Sequence, residues 1–258
     1  MGPNILLLGL EVLLRTTGDV LHVMSMLVLL FKIRRTRSCS GISLKSQILY
    51  ICVYGWRYVD LIYVGLYPKY VMRSFRMVYN TIMKCLFIGL QSHIIYNIVN
   101  KYYYSYDLEF DVMPLWVLLV PAVVGGGFLT LPGNWSRGDG LQMGVDWLWA
   151  ASVILESVSI VPQLVLLQNA GEGESLTVYY VVFMGLYRLF YLVSWLVKWL
   201  NDMKISQLLL LSSVVQTLLY TNFFSIYIQS FIAKGKSLRL YPPTFVREAF
   251  GIRHDRKE

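Results

Sequence analysis

The chain has 258 residues and a formal net charge of +8, but only 15% of its residues are charged and 56% are hydrophobic, with a mean hydropathy of +0.54. Soluble domains carry about 25% charged residues, so a soluble globular fold is excluded and a polytopic membrane protein is expected. At about 20 apolar residues per span, this length leaves no room for a large water-soluble domain.

Seven apolar stretches follow in chain order. The first, about Leu13–Phe31, has no basic region before it and no small-residue cleavage site after it, and so reads as a retained helix. The second, Ser46–Leu66, carries Arg57 and Asp60 where hydrocarbon is expected, and the third, Val78–Val99, carries Lys84. The fourth, Met113–Leu129, is the shortest and is loosened by Gly125–Gly127. The fifth, Met143–Leu167, holds Asp146, Trp149 and Glu156. The sixth, Thr177–Trp199, holds Tyr187, Arg188, Tyr191, Ser194 and Lys198, and Gln207–Ile232 is the seventh. The expectation is an all-α membrane protein: a seven-helix transmembrane domain over residues 1–237 and a basic cytosolic tail over 238–258.

Loop charge orients the chain. With the N-terminus lumenal, one side carries Lys32, Arg34, Arg35, Arg37, Lys45, Lys101 and the basic run from Lys234 to Lys257. The other carries only Lys69, Arg73, Arg76, Arg137 and Lys204. The excess places the C-terminus in the cytosol, and topology accounts for the net charge without nucleic acid. The same topology places a glycosylation sequon, Asn134–Ser136, on the lumenal side. A weak internal echo is also present. Gly41-x-Ser43 precedes a span containing Gly55-Trp56-Arg57, and Gly173-x-Ser175 precedes one containing Gly185-Leu186-Tyr187-Arg188. Two three-helix bundles joined by the fourth helix would produce such an echo.

The polar residues within the spans form stripes. Arg15, Asp19 and His22 share one helical face; so do Arg57 and Asp60, then Asp146, Trp149 and Glu156, then Tyr187, Tyr191, Ser194 and Lys198. An ionised side chain at mid-bilayer costs roughly 3 kcal/mol, so four such stripes imply a shared interior cavity. Arg15, Arg57 and Lys198 suit a ligand with several carboxylates, and Asp146 beside Trp149 suits a cationic group. The alternatives are that Arg57 and Asp60 neutralise one another and that Lys198 snorkels to the interface. Arg188 lies off the Tyr187 face and would serve packing or pair with an acid, and Lys84 shares a face with Asn80. His22 changes charge between a neutral and a mildly acidic compartment. Cys39, Cys52 and Cys85 offer neither a disulfide framework nor metal-ligand spacing. No catalytic constellation is present, so neither enzyme activity nor a cofactor is expected.

Six blocks carry a resemblance: "GDVLHVMSMLVLLFKIRRTRSCSGISLKSQ", "RYVDL", "VYNTIMK", "LESVSIVPQLVLL", "GEGESLTVYYVVFMGLYRLFYLVSW" and "VVQTLLYTNFF" with "KGK". In this order, over about Arg15 to Ser237, the chain resembles the ER lumen protein-retaining (KDEL) receptors, which are similar in fold to SWEET and PQ-loop transporters. The resemblance implies a receptor in ER and Golgi membranes. It would bind soluble ER-resident proteins by a C-terminal Lys/His-Asp-Glu-Leu signal at acidic pH and return them to the ER with the COPI coat. It assigns Arg15, Arg57 with Tyr58, and the Arg188–Lys198 stretch to the acidic peptide and its carboxylate. Asp60 would position Arg57, Asp146 and Trp149 would take the basic first residue, and His22, Glu156 and Tyr187 would form a proton-sensitive lock. Asn222, Lys234 and Lys236 would serve return transport. Lys198 stands where the family carries Arg, Asn222 where it carries Asp, Asp146 where it carries Glu, Ser194 where it carries Asn and Tyr179 where it carries His. A small-solute transporter on the same scaffold, or a paralogue that no longer binds the signal, is the alternative.

Overall fold

A computed structural model describes residues 4–66, 74–134, 140–170 and 175–234, and no strand occurs among them. The tail 238–258, Lys236, most of the Pro68–Arg76 loop, and Trp135 and Ser136 of the sequon lie outside the described residues.

Helix α1 (Ile5–Thr36) begins well before Leu13. The Asn4 side chain accepts from the Leu6 amide (3.0 Å), meeting one of the donors that a helix start leaves unpaired. Its end is set by Arg37, in the left-handed region at φ 51°. The second apolar stretch is two helices, α2 (Leu44–Arg57) and α3 (Asp60–Leu66), with Tyr58 ending the first. Helix α4 (Phe75–Tyr96) runs on through a π turn at Asn97–Lys101, and α5 (Trp116–Asn134) follows. The fifth stretch is also broken, into α6 (Gly140–Val158) and α7 (Val161–Ala170). Pro162 has no amide to continue the ladder and disfavours helical geometry in the residue before it. Helices α8 (Ser175–Leu200) and α9 (Gln207–Lys234) complete the fold. Among the described residues, five segments are long and apolar enough to cross a membrane: Ile5–Thr36, Phe75–Lys101, Gly140–Ala170, Thr177–Leu200 and Gln207–Ser225. The apolar part of α5, Trp116–Thr130, is shorter.

Packing follows a repeated plan. Helix α1 lies along α8 and α2 along α6; α4 packs on α1 and α2, and α9 on α6 and α8. Helix α5 packs on α6, where Gly126 has no space for a side chain: an added Cβ would lie 2.7 Å from the Ala151 nitrogen.

The end of the fold bearing the Gly41–Ser46 turn is closed by polar stitching. Buried Gln163 accepts from the Ser43 amide (2.9 Å), donates to the Gly41 carbonyl (2.8 Å) and takes its own amide to Ser46 Oγ (2.9 Å). Buried Asp111 accepts from Ser43 Oγ (2.9 Å), the Lys45 amide (3.2 Å) and the Tyr106 hydroxyl (2.6 Å), tying the start of α2 to the α4–α5 loop. Buried polar bonds of this kind hold the turn in one geometry.

Candidate functional site

Arg57 is the last residue of α2, and Glu156 lies in the last turn of α6. A cation is favoured at the negative end of a helix and an anion is not, so Glu156 needs cations around it. It has two. Arg57 Nη1 and Arg188 Nη2 each form an ion pair with a different oxygen of Glu156. Arg57 Nε also donates to Ser152 Oγ (3.1 Å), whose hydroxyl donates to the Trp149 carbonyl (2.6 Å). The two arginines of the Gly-aromatic-Arg echo, from α2 and α8, thus converge on one carboxylate. Arg57 Nη2 is buried and has no hydrogen-bond partner among the described residues.

Against this cluster stands a stack of rings. His22 lies parallel to Tyr187, with centroids 4.1 Å apart and 2° between the planes, and Phe87 stacks 4.6 Å away. Tyr54 Oη is 3.0 Å from His22 Nε2, and the Tyr54 ring stacks on Tyr58 at 5.7 Å. Arg188 Cζ sits 4.5 Å from the centre of the Tyr187 ring, so the histidine and the ion cluster meet across one aromatic. Tyr191 packs edge-on to Tyr187 (5.6 Å) and donates its hydroxyl to Asp19, which also accepts from Tyr79 Oη (2.9 Å).

Several of the remaining predicted residues have partners outside this cluster. Arg15 donates to Asn80 Oδ1 (2.8 Å), Lys198 pairs with Glu11 (3.1 Å), and Asp146 accepts from Gln142 Nε2 (3.0 Å). Ser194 is buried on α8, and Trp149 is half-buried. Asp60 is not joined to Arg57: the helix breaks between them, and Asp60 pairs with Lys84, which also sits 5.4 Å from the Tyr58 ring centre. Asn222 is exposed on α9, away from the cluster's hydrogen bonds, and Lys234 closes α9. Sequence reasoning missed Glu11, Tyr54, Phe87 and Ser152. Glu11 could have been found, since it continues the Arg15 stripe by one turn towards the N-terminus.

Gly18 lets α1 and α8 approach closely. An added Cβ would lie 2.8 Å from two ring carbons of Tyr191. Gly18→Ala is expected to displace Tyr191 from Asp19 and lower stability by about 1–3 kcal/mol, the usual cost of overpacking. Thermal unfolding in detergent measures this, and an unchanged transition would mean that the two helices slide apart freely.

An apolar helical assembly enclosing two arginines, a carboxylate, a histidine and stacked tyrosines defines a polytopic membrane protein with a charged interior. A family profile described as "ER lumen protein retaining receptor" matches residues 38–198. ER lumen protein-retaining receptor 3 of Mus musculus is 39% identical over 229 residues, covering 89% of this chain and 98% of the relative. The receptor 3 of Xenopus laevis matches with the same identity and coverage. ER lumen protein-retaining receptor 2 of Homo sapiens is 38% identical over 226 residues, covering 88% and 97%. The chain belongs to the ER lumen protein-retaining receptor family, whose members are receptors and not enzymes.

Proposed function

We propose that this protein captures soluble ER-resident proteins by a C-terminal tetrapeptide of the Lys/His-Asp-Glu-Leu type in the mildly acidic Golgi, and releases them in the neutral ER. The observation that carries this reading is the Arg57–Glu156–Arg188 cluster. One carboxylate between two guanidiniums leaves a surplus positive charge, and the buried Arg57 Nη2 still lacks an acceptor among the described residues. An incoming carboxylate would supply it, in a low-dielectric site where charge-assisted bonds are strong. Arg15, Tyr58, Tyr191, Ser194 and Lys198 complete the peptide's anionic subsites, with Asp60 steadying the α2–α3 junction. Asp146 and Trp149 receive the basic first residue.

His22, Tyr187 and Glu156 make the switch. His22 is buried, so charging it is costly unless a negative group arrives nearby. A ligand carboxylate is such a group. If bound receptor holds one proton more than free receptor, linkage requires affinity to rise as pH falls and to fall as pH rises. In the membrane, seven spans are expected, the broken pairs α2–α3 and α6–α7 each counting as one, with the N-terminus lumenal and the C-terminus cytosolic. The repeated packing of α1 on α8 and α2 on α6 supports two three-helix units joined by α5. Asn222, Lys234 and Lys236 would serve return transport with the COPI coat on the cytosolic side.

The test is equilibrium binding of a fluorescent peptide ending His-Asp-Glu-Leu to purified receptor. Binding is expected at about pH 5.5–6 and dissociation near neutrality, the range over which histidine titrates. His22→Ala should flatten the profile. Equal affinity at both pH values would remove the switch, and no binding to any such peptide would remove the receptor role.

A further inference from the structure

Helix α1 carries an acid where the proposed ligand site needs a cation free. Glu11 is 3% exposed, and its Oε1 lies 3.1 Å from Lys198 Nζ. The geometry is held from both sides. The Asn4 amide donates to Asn201 Oδ1 (2.7 Å), and Asn201 Nδ2 donates back to the Asn4 carbonyl (3.4 Å). Asn4 also caps α1, and the Asn201 amide bonds the Val197 and Lys198 carbonyls (3.1 Å each), so the start of α1 is tied to the turn that follows Lys198. Lys198 Nζ is occupied on another side by the Trp195 ring, 4.7 Å to its centre.

We infer that Glu11 is an internal competitor for Lys198, so that an acidic peptide meets one effective cation fewer than the arrangement of basic residues suggests. This rests on the receptor reading above. Arg15 is held by the neutral oxygen of Asn80, and Arg57 retains a buried nitrogen without an acceptor among the described residues. Lys198 differs from both: Arg15 is met by a neutral oxygen, Arg57 shares the Glu156 carboxylate with Arg188, and Lys198 faces a buried carboxylate of its own. An ammonium is a point charge with no planar fork to hold two carboxylates side by side. A ligand acid reaching Lys198 therefore has to displace Glu11, leaving that carboxylate buried and unpaired, which is strongly unfavourable. Glu11 thereby weakens the demand for an acid at this one subsite and shapes which acidic peptides are held.

Full-length receptor in detergent, titrated with a fluorescent His-Asp-Glu-Leu-ending peptide in mildly acidic buffer, tests the inference. Glu11→Gln frees Lys198 and is expected to bind about tenfold more tightly than the parent, about the effect of one gained charge pair. The double variant Glu11→Gln with Lys198→Gln leaves no lone buried charge that could unfold the chain. It should bind about tenfold less tightly than Glu11→Gln alone, because the gain runs through the Lys198 charge. A folded Glu11→Gln variant that binds no more tightly than the parent, or a double variant that binds as tightly as Glu11→Gln alone, overturns the inference while leaving the receptor reading intact. Absence of Arg57-dependent binding in the parent itself overturns both.

Discussion

Arg57→Gln is expected to weaken binding of a His-Asp-Glu-Leu-ending peptide more than about 100-fold in mildly acidic buffer, a loss of about 2.7 kcal/mol. Truncating one partner of a buried, hydrogen-bonded charge pair costs about 2–5 kcal/mol, so the figure is modest for a residue that would meet the ligand and Glu156 together. The glutamine fits the space but brings no charge and cannot reach Ser152 Oγ and a carboxylate at once, as Arg57 does through separate nitrogens. Folding should survive, because Glu156 keeps Arg188. Arg57→Lys separates charge from geometry: it keeps the cation, loses the fork and should fall between parent and Arg57→Gln. Binding by Arg57→Gln within threefold of the parent, measured by fluorescence anisotropy, would reduce Arg57 to a packing residue.

Glu156→Gln has the largest expected effect on stability. Arg188 has a side chain 6% exposed and Arg57 one 19% exposed, and both lose their counter-charge together. Breaking a buried pair from one side costs about 3–5 kcal/mol, and here two guanidiniums are left facing each other beside His22. The melting transition in detergent should fall sharply. Adding Arg57→Gln to Glu156→Gln returns the cluster to the parent's net charge, so the double variant should recover much of the stability while binding no peptide. If Glu156→Gln melts with the parent, the cluster is solvated enough to manage without its acid, and the burial argument fails. If the double variant recovers binding, the acceptor site lies elsewhere.

The polar stripes were legible because helical periodicity places Arg15, Asp19 and His22, or Tyr187 and Tyr191, on one face whatever the neighbours are. Their partners were legible only in part. The Arg57–Asp60 spacing suggests a local pair only if the helix is continuous, and nothing at Tyr58 or Val59 resembles a breaker; Gly55, three residues earlier, is the nearest signal. The fifth stretch reads as one span by hydropathy, and Pro162 is the local signal for the break at Ser159–Ile160. Span ends cost the most. Hydropathy marks the first span from about Leu13, whereas α1 starts at Ile5 and presents Glu11 to Lys198. Hydropathy marks where a chain is apolar and says little about where its backbone hydrogen bonds stop. That Arg57 and Arg188 meet at Glu156 depends on helix crossing, which one sequence without its relatives does not encode in any local pattern.

The seam between α5 and α6 constrains how the receptor can move. With the Gly126 position within van der Waals distance of the Ala151 backbone, the two helices have no slack for sliding and behave as one stiff plank. Any bending has to be taken up at joints, and the described chain has two next to the charges: after Arg57 and after Val158. Both joints sit at the ends of the same salt link. Loosening that link would free both hinges at once, so under the proposed function recognition of the ligand and opening of the protein would share a single fulcrum.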